Sequence, residues 1–195
     1  MRPPTDDFQF IAGNLSLDFV NTIGDRLGEA REYLTSPAEL TRWARRAGIL
    51  PPNGRLTLSA RQMSEIRTAR ESLYRLFQQL ARGGTPSRRA VSDLNTRLES
   101  VAGARRLRLG TRGVRWEWLS RARDARSLLA QVYASAAELL VSDHAVAVRQ
   151  CEGERCGWLF VDRSRSGHRR WCSMADCGNR EKARRHLARI RRSAR

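Results

Sequence analysis

Apolar residues in the first 100 positions recur mostly at intervals of three or four, which is the spacing of helices with one buried face. Residues 36–48 open with Ser-Pro-Ala-Glu, a serine cap followed by proline and then by glutamate at the third helical position, and they end near a glycine. The same spacing predicts helices over residues 59–83, 85–103 and 120–141. A short apolar segment at residues 8–23 predicts a further, buried helix.

Residues 107–118 alternate instead between apolar and polar side chains, which is the period of a half-buried β-strand. Leu107 and Leu109 precede a Gly-Thr-Arg-Gly turn, and Val114, Trp116 and Trp118 follow it. This pattern predicts a β-hairpin with one apolar face. Because two strands cannot bury such a face alone, we expect the hairpin to pack on the helices.

The composition favours a domain that folds in water. Of the 195 residues, 41% are hydrophobic, and no stretch approaches the ~18 uninterrupted apolar residues that a transmembrane helix needs. The first seven residues lack the apolar region of a signal peptide. The sequence therefore predicts a cytoplasmic protein without a membrane segment.

Positive charge is concentrated at the C-terminal end of the chain. The sequence has 37 basic and 20 acidic residues, a formal net charge of +17. Residues 149–195 hold 14 of the basic residues but only 5 of the acidic ones, so the last quarter of the chain is several times denser in positive charge than the rest. Such clustering is typical of contact with nucleic acid and predicts a polyanionic partner.

All four cysteines lie in this basic segment, as Cys151-x4-Cys156 and, fifteen residues later, Cys172-x4-Cys177. Two short-range pairs can bring four thiolates around one tetrahedral ion, so the spacing predicts a single Zn²⁺. Two disulfides and an iron–sulfur cluster are the alternatives, which a reducing cytosol and the wide spacing disfavour. Between the pairs, residues 158–162 have strand composition, and residues 168–172 are predicted to pair with them.

The residues after the last cysteine predict a basic helix that begins with Asn179 as its cap. Ala183, Leu187 and Ile190 fall on one side of this helix, and arginines fall on the other. We expect the apolar stripe to dock on the zinc module and the arginines to face phosphates. The alternative is a solvated helix whose charges bind nothing.

Ten cations of this segment are candidate nucleic-acid contacts. Most are expected to meet phosphate, and an arginine at the start of the helix is a candidate to read guanine. Four lie between the cysteine pairs and six at or beyond the second pair: Arg163, Arg165, Arg169, Arg170, Arg180, Lys182, Arg184, Arg185, Arg189 and Arg192.

Two segments of the chain resemble those of one known family. The run from Cys151 through Cys172-Ser-Met-x-Asp-Cys177-Gly-Asn-Arg180 closely resembles the CGNR zinc finger of bacterial proteins, over residues 147–192. Asp18-Phe-Val-Asn-Thr22, with the tryptophan helix at residues 40–48, is similar to the ABATE domain that precedes this finger. The resemblance implies a stress-induced transcription regulator whose finger binds DNA.

Pattern and resemblance together predict the fold class and the domains. We expect a mostly α N-terminal domain with a small β-hairpin at residues 1–142, which senses a signal or binds a protein partner. A treble-clef or ribbon-like zinc finger at residues 147–192 follows and ends in the basic helix. Because the amphipathic helices supply a core of their own, we expect residues 1–142 to fold independently of metal.

The function favoured by these observations is zinc-dependent transcription regulation through double-stranded DNA. The alternative is a finger that binds RNA or another protein. The sequence shows neither a Ser/His/Asp set nor a phosphate-binding glycine loop, and four thiolates leave zinc no open position, so we expect no enzymatic activity. Asp18, Asn21, Thr22 and Trp43 are candidates to line a small-molecule effector pocket; the alternative for the polar ones is a role in caps and buried hydrogen bonds.

Overall fold

The computed structural model describes residues 8–111, 113–118 and 124–193. Within these ranges the helices are α1 (Leu15–Val20), α2 (Pro37–Arg46), α3 (Ala60–Ala81), α4 (Arg88–Glu99), α5 (Ala125–Leu140) and α6 (Asn179–Ser193). The strands form three two-stranded antiparallel sheets: β1 (Ile23–Gly24) with β2 (Arg31–Glu32), β3 (Arg105–Gly110) with β4 (Gly113–Trp118), and β5 (Val148–Gln150) with β6 (Leu159–Val161). The mostly α fold with small β elements is confirmed.

Serine caps start three of the predicted helices. Ser36 accepts a hydrogen bond from the backbone N–H of Glu39 at the start of α2, and Ser59 forms a reciprocal capping box with Gln62 at the start of α3. Helix α4 begins later than predicted because Ser87 is its cap. The predicted start of α5 at Ser120 lies outside the described residues, and the helix begins after its Asp124 cap.

The predicted helix at residues 8–23 is shorter than its apolar pattern. Asn14 accepts hydrogen bonds from the backbone N–H groups of Ser16 and Leu17, so α1 starts only there. The preceding residues are not helical, and the carbonyl oxygen of Ala12 accepts a hydrogen bond from the N–H of Val161 in β6. The spacing of apolar residues in this segment gives no information about a contact with β6, which is distant in the sequence.

The β3–β4 hairpin forms as predicted, but its predicted packing is wrong. Leu107 lies opposite Trp116 and Leu109 opposite Val114, which places these four side chains on one face. Leu109 is 79% exposed and the other three are more than half exposed. Among the described residues, only the end of the hairpin at Arg105 and Trp118 lies against the helices, through the Arg105–Glu138 ion pair to α5, and the rest of its apolar face is in solvent.

One hydrophobic core joins the helices to the cysteine segment. Trp43, Phe19 and Phe77 lie at its centre, and Leu159 and Phe160 of β6 are completely buried in the same cluster. Strands β5 and β6 pack on α1 and α3. No helix in the described ranges is long and apolar enough to cross a membrane.

The strand pairing within the finger differs from the prediction. Residues 159–161 form a strand as expected, but their partner is β5, just before the first cysteine, rather than residues 168–172. The latter segment approaches the first cysteine loop through a single backbone bond, from the N–H of Glu152 to the carbonyl oxygen of Arg170. The sequence did not predict β5, because the strand has only three residues and Val148 is the one apolar residue among them.

Helix α6 does not dock on the finger by its apolar stripe, contrary to the prediction. Leu187 is 56% exposed and Ile190 52% exposed. The helix contacts the finger through the π-helical turn Met174–Gly178 that precedes it. Asn179 is not the N-cap of α6, because its backbone is already helical; Ser173 caps the start of the preceding turn instead. The helix therefore projects from the finger with solvent around it.

Candidate metal centre and nucleic-acid interface

The four cysteine sulfurs converge at one point in the fold. They lie within 4.8 Å of one another, and the Sγ of Cys172 is 3.6 Å from those of both Cys156 and Cys177. Four thiolates about 2.3 Å from a tetrahedral zinc ion stand about 3.8 Å apart. All four cysteines are buried and free, and the sulfurs are too far apart for disulfide bonds of about 2.05 Å. The cluster therefore fits one Zn²⁺, and the four cysteines do not form the two disulfide bonds of the alternative.

Two backbone N–H groups and one glycine lie close to the cysteine sulfurs. The N–H groups of Gly153 and Cys172 point at the sulfur of Cys151, at 3.4 and 3.3 Å. Such donors stabilise negative charge on a ligating thiolate. A Cβ atom at Gly153 would lie 3.2 Å from the sulfur of Cys177, so glycine at this position keeps the space beside the sulfurs open.

Arg180, a predicted nucleic-acid contact, is also a partner of the metal ligands. Its Nη2 lies 3.0 Å from the sulfur of Cys177. Burial lowers the pKa of Arg180, but the hydrogen bond to this sulfur and the nearby negative charges of Cys177, Cys156 and Asp176 together raise it. Arg180 thus places a fixed positive charge beside the thiolates at the start of α6.

Asn21 joins the N-terminal helices to the finger strand. Its Nδ2 donates to the carbonyl oxygen of Leu159 at 2.8 Å, and its Oδ1 accepts from the N–H of the same residue at 2.9 Å. The side-chain amide thereby pairs with β6 as a neighbouring strand would. It stands at the end of α1 and is 3% exposed.

The loop of the first cysteine pair is held by the N-terminal residues as well. The N–H groups of Arg26 and Leu27 donate to the carbonyl oxygens of Cys156 and Arg155. Trp158 Nε1 donates to the carbonyl oxygen of Ile23 at 2.7 Å. Similarly, Tyr74 of α3 donates its hydroxyl hydrogen to the Gly157 carbonyl at 2.9 Å. The metal loop and the N-terminal helices therefore share one junction, called here the finger junction.

The remaining candidate pocket residues are enclosed in the protein. Asp18 accepts a hydrogen bond from the N–H of Ala12, and burial raises the pKa of its carboxyl from 3.8 to about 6. Thr22 donates to the carbonyl oxygen of Phe19, and Trp43 is 1% exposed in the core. An effector could reach these side chains only if the core opened, so the alternative of caps and buried hydrogen bonds describes their contacts.

The sequence did not predict the ion pair between the buried Arg70 and Glu32. Arg70 of α3 is 2% exposed and donates through both terminal nitrogens to Glu32 at 2.7 and 2.6 Å. It also donates to Thr22 Oγ1. The position of Arg70 could have indicated the ion pair, because Arg70 lies on the apolar side of α3 between Ile66 and Leu73. A buried arginine needs a carboxylate partner.

Arg169, another predicted nucleic-acid contact, is used inside the finger. Its guanidinium donates to the backbone carbonyl oxygens of Trp171, Cys172 and Ile11. It also lies over the ring of Phe160, 4.3 Å from the centroid. These contacts fix the second cysteine loop, so the structure places Arg169 as a support rather than as a projecting cation.

The other three cations between the cysteine pairs are exposed. Arg163 donates to the carbonyl oxygen of Gly13, and Arg170 forms an ion pair with Glu152. Arg165 is exposed, and no hydrogen bond or ion pair of its side chain is found among the described residues. Surface ion pairs of this kind contribute little free energy and exchange readily for phosphate.

The described cations of α6 form an exposed basic surface. Arg184 and Arg185 both pair with Glu181 at 2.8 Å, and these hydrogen bonds lower the pKa of that carboxyl to about 2. Lys182 and Arg189 are exposed without an ion pair within the described part of the chain. Glu181 thus remains ionised and holds two arginines on one side of the helix. The side chain of Arg192 lies outside the described part.

The Asn21→Asp change tests the finger junction. Aspartate loses the Nδ2 donor and places a charged oxygen against the Leu159 carbonyl, so we expect a loss of about 2–4 kcal/mol in the free energy of unfolding. Denaturant unfolding followed by circular dichroism measures this loss. The exposed Asn95 of α4 offers a matched control, since Asn95→Asp is expected to change stability by less than about 0.5 kcal/mol. Equal stabilities of the two variants would contradict the role of Asn21.

Comparison with known families covers nearly all of the chain. The family model ABATE, described as "Putative stress-induced transcription regulator", matches residues 13–143. The model of the CGNR zinc finger matches residues 147–190. No curated protein sequence matches the chain.

Proposed function

Because the chain belongs to the family of ABATE-domain proteins and ends in a CGNR zinc finger, we propose that it is a zinc-dependent transcription regulator that binds double-stranded DNA. Residues 1–142 are the sensing or partner-binding part, and residues 147–192 are the DNA-binding part. The protein acts in the cytoplasm and without catalysis, since four thiolates give zinc a closed, structural coordination shell.

The observation that carries this proposal is the exposure of α6. The helix leaves the metal site and displays cations on the side opposite its apolar stripe, with Glu181 as its single acid. A helix that is open to solvent along its length fits the width of a DNA groove, and its arginines suit phosphate and guanine. Zinc is required because the turn before α6 contains Cys177.

Binding measurements with matched nucleic acids test the proposal. Zinc-loaded protein is titrated with labelled duplex DNA, an RNA hairpin and single-stranded DNA of equal length, and fluorescence anisotropy gives the dissociation constants. We expect the tightest binding to duplex DNA, with loss of binding after chelation of zinc. Tighter binding to the RNA hairpin, or no binding to any nucleic acid, would contradict the proposal.

A second candidate function rests on the apolar stripe of α6. Leu187 and Ile190 are more than half exposed, which is unusual for a helix that binds only phosphates. A finger that binds another protein would bury this stripe. The Leu187→Ser and Ile190→Ser changes, which leave every cation in place, would then abolish capture of that protein while DNA affinity stayed within about twofold.

The Glu181→Gln change tests the charge arrangement of α6. Removing this acid frees Arg184 and Arg185 for phosphate and removes a repulsive charge, so we expect tighter DNA binding and a steeper dependence on salt, by about one to two units of log K per log salt. Anisotropy titrations at several salt concentrations give the slope. The control is Glu65→Gln on α3, which frees Arg61 far from the finger and should leave the slope unchanged. Unchanged binding by Glu181→Gln would mean that these arginines do not meet DNA.

A further inference from the structure

The apolar face of the β3–β4 hairpin has no partner within the described chain. Leu107, Leu109, Val114 and Trp116 are 54 to 79% exposed on this face. On the opposite face Arg106 and Arg108 both pair with Glu117, so that face suits solvent. Strict alternation of this kind is typical of a sheet with one covered side. The described residues of the folded monomer do not supply the cover.

The apolar face continues into a groove at the foot of the hairpin, which is the end formed by Arg105 and Trp118. The groove has a volume of about 440 Å³ and lies between the hairpin, the end of α4 and α5. Its lining is mostly apolar and includes Leu98, Val101, Trp118, Ala134 and Val141. Val141 at its edge is 87% exposed. Face and groove together form one surface, called here the hairpin surface.

We propose that the hairpin surface is the interface between two copies of this chain. In a two-fold pair with antiparallel hairpins, the tip of each hairpin lies over the foot of the other. The tip side chains Leu109 and Val114 of one copy then enter the groove of its partner, and the reverse contact forms at the same time. This inference concerns assembly and does not depend on the proposed DNA binding.

Charge favours a second copy over other occupants of this surface. The chain carries a net charge of +17, so two copies repel each other over most of their surfaces. Among the described residues of the hairpin surface the one arginine, Arg105, is already paired with Glu138 at 3.0 Å and lies over the ring of Trp116. A two-fold contact between the described residues there brings apolar side chains together without opposing free cations, whereas an acidic protein partner would be drawn to the arginine surfaces instead.

The exposed area is sufficient for a small dimer. The four side chains of the face and Val141 expose on the order of 500 Å² per copy, or about 1,000 Å² for a symmetric pair, which is at the threshold of a specific interface. Burial of that apolar area supports an association of micromolar strength, so the dimer is expected at protein concentrations of about 10–100 μM.

Mass measurement in solution tests the dimer. By light scattering on a sizing column at about 50 μM, the zinc-loaded protein should have twice its chain mass of 22.2 kDa. The variants Leu109→Asp and Val114→Asp should have the mass of one chain, since each buries two charges in the pair but none in the monomer. Val146→Asp is the matched control, because Val146 is 81% exposed outside this surface, and it should remain dimeric.

Three outcomes would overturn the proposal. They are a wild-type protein of one chain mass at 100 μM, tip variants that remain dimeric, and a control variant that dissociates as the tip variants do. Because both tip residues are exposed in the monomer, circular dichroism should show the same helix content in all variants. A variant that loses helix is replaced by Leu109→Ser, which removes the same contact with a smaller change.

Discussion

The Cys172→Ser variant is expected to lose its zinc and to unfold at a temperature at least about 10 °C below that of the wild type. The structural reason is that the cysteine cluster and the N-terminal helices share one core, in which Leu159 and Phe160 of β6 are completely buried. Structural zinc contributes roughly 10–16 kcal/mol to the folding of small fingers, and each kcal/mol shifts the midpoint of a chain of this size by about 2–4 °C. Far-ultraviolet circular dichroism follows the transition, and elemental analysis gives the zinc content.

The neighbouring exposed Ala175 provides the control. Ala175→Ser adds the same hydroxyl group beside the metal site without removing a ligand, and should keep one zinc per chain and the wild-type midpoint. The sequence predicts that residues 1–142 fold independently of metal, whereas the finger junction gives a reason to expect that they do not. An unchanged helix transition in zinc-free Cys172→Ser would favour independent folding; a full complement of zinc in this variant would contradict the assignment of the ligands.

Deletion of residues 182–195 is expected to lower affinity for duplex DNA by at least about 100-fold at 100 mM salt while the rest of the protein stays folded. Described residues of α6 contact the finger through the turn before the helix, and the deletion begins after Arg180, so the Arg180 contact with Cys177 is kept. The lost cations include Arg184, Arg185 and Arg189. Anisotropy measures affinity, and circular dichroism and zinc content verify the fold.

A charge-conserving variant separates the loss of cations from the loss of helix contacts. Replacing Arg184, Arg185 and Arg189 together by lysine keeps the charge, so the salt dependence should stay close to that of the wild type. Reduced preference for one DNA sequence in this variant would identify a base-reading arginine among the three. If the truncated protein binds duplex DNA as tightly as the full chain, α6 is not the DNA-binding element.

The metal site could be predicted from the sequence because its ligands are few, close along the chain and chemically distinctive. The capped helices could be predicted for a similar reason, since Ser36 and Ser59 act within a few residues of their own positions. Asn21 could not, because the group that it binds lies 138 residues away in β6. Its polar side chain in an apolar segment indicated a buried contact without indicating the partner.

The two amphipathic patterns that were predicted to pack show a different limit. Periodicity correctly placed Leu187 and Ile190 on one side of α6 and Leu107 and Trp116 on one side of the hairpin. Period identifies a face, but the surface that covers it depends on the tertiary fold or on another molecule. Leu187 and Ile190 of α6 and most of the hairpin face are exposed, so the expectation of intramolecular docking was wrong for the α6 stripe and for most of the hairpin face.

The central claim is that the zinc-loaded finger binds duplex DNA through phosphate contacts. Its most direct test is the affinity of the zinc-loaded full chain for a labelled duplex, measured between about 50 and 200 mM salt before and after zinc is removed and restored. Neutralisation of about 4–6 phosphates predicts a slope of log affinity against log salt near −4 to −5, loss of binding on chelation and its return with zinc. Absence of duplex binding at the lowest salt concentration, or binding that persists undiminished without zinc, would contradict the claim.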